Sequence, residues 1–175
     1  MSEAFPAVAA QTFFSMLGLA PTFDIDPADL ERRYFALQRQ FHPDRFIGKP
    51  DALRQQAIRQ SMLANEAYET LKSPLRRARY LLAIAAMPPD GVTPSQALLT
   101  EIMELREALA EAASPEELNG FIAGNIQEVQ KTLGLLLQAF DTKDLAAAAE
   151  LTMRLSYLTK LEDEIRVRRR VVSGR

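Results

Sequence analysis

The chain has no cysteine and no tryptophan, and His42 is its only histidine. Without cysteine there can be no disulfide, thiolate metal ligand or cysteine nucleophile. One imidazole with no thiol beside it also argues against a His/Cys zinc or iron–sulfur site. The seven glycines are scattered and form no phosphate-cradling loop. Carboxylates are plentiful, but none sits in a loop patterned to ligate a hard cation. No metal and no cofactor are therefore expected. The longest purely apolar run, Leu81 to Met87, falls far short of the roughly 18–20 residues of a membrane-spanning helix. A net charge of −2 points to neither nucleic acid nor an anionic membrane.

What remains is a chain of 175 residues, 47% of them apolar, enough for one or two domains with real cores. The charge is unevenly spread. Segment 91–140 holds seven acidic residues against two basic ones, Arg106 and Lys131. The last ten residues reverse this with Arg166, Arg168, Arg169, Arg170 and Arg175. Five arginines on a net acidic chain, with no aromatic interleaving, make a weak case for nucleic acid; helix-dipole complementarity and solubility suit them better. The opening residues, Met-Ser-Glu-Ala-Phe-Pro, have the pattern of neither a secretory signal nor a basic transit peptide. A soluble, cytoplasmic, monomeric protein is expected.

Every segment reads as helix, with Pro, Gly, Ser and Asp at the breaks. A short first helix is expected over Gln11 to Leu19. Asp26, Pro27 and Asp29 mark the start of a second as N-cap, first position and first turn. Its apolar stripe is Leu30, Tyr34, Leu37 and Phe41, opposite Arg32, Arg33 and Arg39. Pro43 stops it, because proline disfavours helical geometry in the residue before it. After a loop to about Asp51, a third helix runs through Leu71 with the stripe Ala57, Ser61, Ala64, Tyr68 and Leu71. Two such stripes joined by a short loop predict an antiparallel hairpin. Ser73-Pro74 opens a fourth helix to Ala86, with Arg76, Arg77 and Arg79 on its polar side. Three prolines, a glycine and an aspartate follow between Met87 and Pro94, so a domain boundary is expected there, with a linker over 88–94. Beyond it, Ser95 caps a fifth helix to about Ala112. Ser114-Pro115-Glu116-Glu117 is a capping box for a sixth to about Phe140, and Asp141 or Thr142 caps a last helix. These three form a small antiparallel bundle.

The residues for catalysis are missing rather than hidden, so no enzymatic activity is expected of this chain. His42-Pro43-Asp44 differs in kind. It places a polar turn at the exposed tip of a rigid hairpin, where a recognition loop belongs. An ordinary turn with an Asp cap is the plainer reading of the tripeptide alone.

The order of a short helix, a basic helix, His42-Pro43-Asp44, and a third helix ending in Asn65-Glu66-Ala67-Tyr68-Glu69-Thr70-Leu71 resembles the J-domain family. That resemblance implies that His42, Pro43 and Asp44 dock on an Hsp70 with the basic face of Arg32, Arg33 and Arg39, and accelerate its ATP hydrolysis. Charge-assisted pairing of Asp44 with a partner arginine is strong and orienting, and the arginines steer toward an acidic patch. The Gly/Phe-rich stretch and cysteine-rich repeats of general J-proteins are absent. Nearly the whole chain instead resembles the HscB-type co-chaperones of iron–sulfur cluster assembly. The matching pieces are Leu37 to Phe46, then Ser73-Pro74-Leu75 with Arg77-Ala78 and Tyr80-Leu81-Leu82, then Glu104-Leu105-Arg106-Glu107.

The family resemblance implies an all-α fold, a J-domain over 1–87 and a scaffold-binding three-helix bundle over 95–175. The partners it implies are a specialised Hsp70 of the HscA type and a cluster scaffold of the IscU type. Leu98, Ile102, Leu105 and Leu109 form the expected core stripe of the fifth helix. Leu99 and Met103, flanked by acids, are left over for a partner with a basic rim. By resemblance the scaffold-binding positions are Leu99, Met103, Glu104, Glu107, Glu111 and Tyr157. Thr100 stands where the family often has a larger apolar residue, which weakens that contact. A J-domain protein for another client, and a purely structural helical module, are the competing readings.

Overall fold

The structure, a computed structural model, describes residues 12–87 and 93–173. Among the described residues there are seven α-helices and no strand. They are α1 (Phe13–Met16), α2 (Pro27–Phe41), α3 (Asp51–Lys72), α4 (Pro74–Ile84), α5 (Gln96–Glu111), α6 (Pro115–Asp141) and α7 (Leu145–Ser173). A single 3-10 turn, Pro43–Phe46, lies between α2 and α3. The opening residues, Gln11 of the expected first helix, most of the expected linker and Arg175 lie outside the described residues. No helix among those described is long and apolar enough to cross a membrane. The chain divides after Ala85 into two compact units.

In the first unit α2 and α3 form the antiparallel hairpin, and α1 and α4 close it. Phe14, Leu17, Leu30, Ala64, Ala67, Leu71, Leu81 and Leu82 are its buried core. Alanines at 57, 64 and 67 keep the buried side of α3 thin, so the helices approach closely. Asp26 caps α2, its side chain accepting from the Ala28 amide at 2.9 Å, as the Asp-Pro start requires. Tyr80 joins α4 to α1: its ring stacks on Phe13 at 4.6 Å and its hydroxyl accepts from the Phe13 amide at 2.9 Å.

Two expectations on α3 and α4 change. Ser61 belongs to a polar seam between α2 and α3 rather than to an apolar stripe. Arg77 turns inward: its guanidinium lies 5.0 Å from the Phe23 ring centroid, and Nη1 donates to the Leu71 carbonyl at 3.0 Å. Burial draws its pKa down from the ordinary arginine value, with Asp24 acting in the opposite sense. An arginine stem offers as much apolar surface as a core residue, so a charge on a helix does not by itself mark the solvent face.

The second unit is built on the antiparallel pair α6 and α7, with α5 laid along α7. Leu109, Ala112, Leu118, Leu161 and Ile165 form a buried cluster at one end. The Ser114 capping box is present, with Glu117 accepting from the Ala113 and Ser114 amides at 2.7 and 3.2 Å. Arg154 of α7 binds Glu101 of α5 through two bonds of 2.6 Å and Glu128 of α6 through one of 2.9 Å. The hydrogen bonds from Arg154 hold the Glu101 carboxyl below the usual glutamate range.

The last helix starts later than expected. Lys143 takes a left-handed φ of +58°. The Asp144 amide donates to the Ala139 carbonyl at 2.9 Å, and that of Lys143 to Phe140 at 3.2 Å. This is a Schellman closure of α6 built without glycine. Asp144, rather than Asp141 or Thr142, then caps α7 by accepting from the Ala147 amide at 3.0 Å. Similarly α4 ends at Ile84 rather than Ala86, because Ala86 is left-handed at φ +57°.

A left-handed L-residue costs roughly 1–2 kcal/mol, part of which glycine returns as chain entropy. Lys143→Gly is therefore expected to raise the urea-unfolding free energy by about 0.5–1 kcal/mol. Because the Glu101 pKa is depressed in the folded state, its contribution is complete above the ordinary glutamate pKa and disappears as pH falls through the lower folded value. Glu101→Gln is expected to flatten the acid limb of stability against pH, measured by urea unfolding from neutral pH downward.

Candidate functional site

His42 both ends α2 and caps the 3-10 turn that follows. Its Nδ1 accepts weakly from the Asp44 amide at 3.4 Å and lies 3.6 Å from the Asp44 carboxylate. Proline at 43 fixes φ and offers no amide, so the turn does not extend the helix. The Asp44 side chain is 78% exposed and therefore open to a donor from outside.

Behind the turn the hairpin is held by polar pairings that the sequence reading did not anticipate. Gln38 Nε2 donates to Asn65 Oδ1 at 2.6 Å and to the Ser61 carbonyl at 3.1 Å, while the Ser61 hydroxyl donates to Gln38 Oε1 at 2.9 Å. The Tyr34 hydroxyl donates to the same Asn65 oxygen at 2.9 Å, and its ring stacks on Tyr68 at 4.3 Å. Arg45 Nη1 returns to the Arg39 carbonyl at 2.7 Å, satisfying an end group of α2. The available signal was the i,i+4 pair Ser61 and Asn65, polar residues along one side of a helix facing Tyr34 and Gln38.

The three arginines of α2 divide. Arg39 is exposed. Arg32 is also exposed but is paired with Asp29. Arg33 is half-buried: Nε meets Asp29 at 2.8 Å, and Nη1 donates to the Gly18 and Leu17 carbonyls at 2.5 and 3.3 Å. Gly18 has φ +66°, and a Cβ there would stand 2.9 Å from Arg33 Nη1. Arg33 thus closes the end of α1, and Arg33 and Arg32 together hold the Asp29 carboxyl below its usual pKa.

On α5 the core stripe is Leu98, Ile102 and Leu109, all buried, with Leu105 packed against the cluster. Leu99 and Met103 lie outside it at 39% and 61% exposure. Glu104, Glu107 and Glu111 are exposed beside them. Tyr157 is half-exposed on α7, three residues beyond Arg154, with Lys160 Nζ 5.8 Å from its ring centroid. Among the described residues no cluster of acids and imidazole is arranged to hold a metal ion.

An exposed His-Pro-Asp turn at the tip of a two-helix hairpin, with a second all-helical unit following it, defines a J-domain co-chaperone. Known proteins narrow this. Residues 94–166 match the family described as the HSCB C-terminal oligomerisation domain. A co-chaperone protein HscB homolog from Aromatoleum aromaticum is 36% identical over 164 residues, 89% of this chain and 92% of that protein. The solved chaperone HscB from Vibrio cholerae superposes with a TM-score of 0.83 at 32% identity, covering 93% of this chain and 99% of that one. Human co-chaperone protein HscB gives 0.86 at 28% identity, covering 93% and 84%. The chain belongs to the HscB family of co-chaperones.

The division among the arginines is open to a direct test. Arg33→Ala is expected to lower unfolding stability by about 0.5–1.5 kcal/mol, since charge-assisted bonds to carbonyls are lost. Arg39→Ala is expected to leave stability within about 0.5 kcal/mol, as at most exposed sites. Chemical denaturation of the two variants side by side distinguishes them.

Proposed function

We propose that this protein is a non-catalytic adaptor of iron–sulfur cluster assembly that brings a scaffold protein to an Hsp70 and triggers that Hsp70's ATP hydrolysis. A J-domain over 1–87 engages an Hsp70 of the HscA type through His42, Pro43 and Asp44, with Arg32 and Arg39 steering and Arg33 bracing the helix that carries them. A bundle over 95–175 holds a scaffold of the IscU type against Leu99, Met103, Glu104, Glu107, Glu111 and Tyr157. It acts in the cytoplasm, as a monomer, and uses neither nucleic acid nor membrane.

The observation that carries the reading is the pairing of an exposed Asp44 turn with an apolar Leu99/Met103 pair rimmed by acids, in one chain of this family. A carboxylate at a fixed tip suits an arginine in the Hsp70. An exposed apolar pair beside glutamates suits a partner with apolar anchors and a basic rim. Work is divided: ATP is hydrolysed by the Hsp70, and this chain supplies placement.

Single-turnover ATP hydrolysis by the Hsp70 tests the coupling, with this protein and the scaffold added separately and together. Stimulation is expected to be more than additive and to be lost with His42→Gln. Leu99→Ala with Met103→Ala is expected to weaken scaffold binding by at least about tenfold, about 1.4 kcal/mol, while leaving stimulation without scaffold intact. Stimulation indifferent to the scaffold would point to a different client. No stimulation at all would leave a structural helical module.

A further inference from the structure

The two halves of α5 are held by different sets of side chains. Its C-terminal half rests on a filled apolar cluster, where Leu109 and Ala112 meet Leu118, Leu161 and Ile165. Two arginines of the unit reinforce that half. Arg106 of α5 binds Glu164 of α7 through bonds of 3.1 and 2.7 Å, and Arg168 donates twice to the Ala112 carbonyl at 3.1 and 2.9 Å. Beside the N-terminal half lies an open groove of about 650 Å³ between α5, α6 and α7, lined by Leu98, Glu101, Glu128, Thr132, Leu135 and Arg154 among others. Leu98 and Ile102 are the buried residues of this half, at 5% and 4% exposure.

Along this groove runs the two-pronged Arg154–Glu101 pair, with Glu128 of α6 as third member. The Arg154 side chain is only 22% exposed, so water competes poorly for it. A bidentate arginine–carboxylate pair fixes angle as well as distance, which a lysine cannot do. Removing Arg154 would leave Glu101 and Glu128 facing one another beside the groove with Lys131 as the remaining cation. Leu99 and Met103 both lie in the half of α5 that this pair secures.

We propose that Arg154 is a positioning residue: through Glu101 it fixes the N-terminal half of α5, and with it the Leu99/Met103 face. The link to binding rests on the scaffold reading above; the link to α5 does not. Arg154 is already engaged by two carboxylates, so its part is to orient the helix rather than to touch the partner.

Hydrogen–deuterium exchange on the full chain tests the first link, and scaffold affinity by calorimetry the second. In Arg154→Met, amides of residues 100–104 are expected to exchange at least about tenfold faster, while those of 109–111 and of α6 keep their rates. Scaffold affinity is expected to fall about fivefold or more. Arg154→Lys keeps the charge without the fork and is expected to fall between wild type and Arg154→Met in both readouts, which also covers failure of the methionine variant to fold. Unchanged exchange in 100–104, or faster exchange spread evenly over α5, α6 and α7, would overturn the proposal. Local loosening with affinity unchanged by both Arg154→Met and the Leu99→Ala/Met103→Ala pair would support the clasp on α5 and sink the scaffold face instead.

Discussion

The first unit depends on one amide side chain. Gln38 uses both ends of its carboxamide on α3, donating to Asn65 and to the Ser61 carbonyl while accepting from the Ser61 hydroxyl. Apolar stripes alone tolerate sliding of one helix along another, because a leucine is satisfied by any neighbouring groove. Hydrogen bonds of fixed reach do not, and leaving one of these groups unpaired at a half-buried seam is costly. The seam sets the register of α2 against α3, and the register sets where the chain turns at His42. The position of the turn that begins at His42 therefore rests on polar chemistry one helical turn behind it.

The second unit solves a related problem differently. A helix with one apolar stripe in its own core and an exposed apolar pair beside it needs its orientation fixed by groups belonging to neither. Charged side chains serve this purpose along α5: Arg154 at one end, Arg106 with Glu164 in the middle and Arg168 at the Ala112 carbonyl. Exposed ion pairs contribute little to stability, but paired forks constrain angle strongly. Charge here is used for placement more than for cohesion.

Much of this was legible in the sequence. Asp26-Pro27, Ser73-Pro74, Ser95 and Ser114-Pro115 marked helix starts because N-caps depend on local side-chain chemistry. The core stripe of α5 and the exposure of Leu99 and Met103 followed from a 3.6-residue period. The end of α6 did not, because Lys143 adopts a conformation normally signalled by glycine. Arg77 and Arg33 were read as solvent-facing because arginine carries no mark of its surroundings; only the fold brings Phe23 to one and the Gly18 carbonyl to the other. Gln38 with Asn65, and Glu101 with Arg154, are pairings across 27 and 53 residues, beyond any local pattern.

The exposed thioether of Met103 has a chemical consequence of its own. A chain without cysteine has no thiol to be oxidised, exchanged with disulfides or drawn into a partner's metal site. Yet the apolar face of α5 places a sulfur atom on a side chain that is 61% exposed. Conversion to the sulfoxide would put a polar, chiral group in the middle of that face, and methionine sulfoxide reductases would reverse it. Having no thiols does not make the protein indifferent to peroxide; it leaves exposed thioethers, Met62 as well as Met103, as the sensitive atoms.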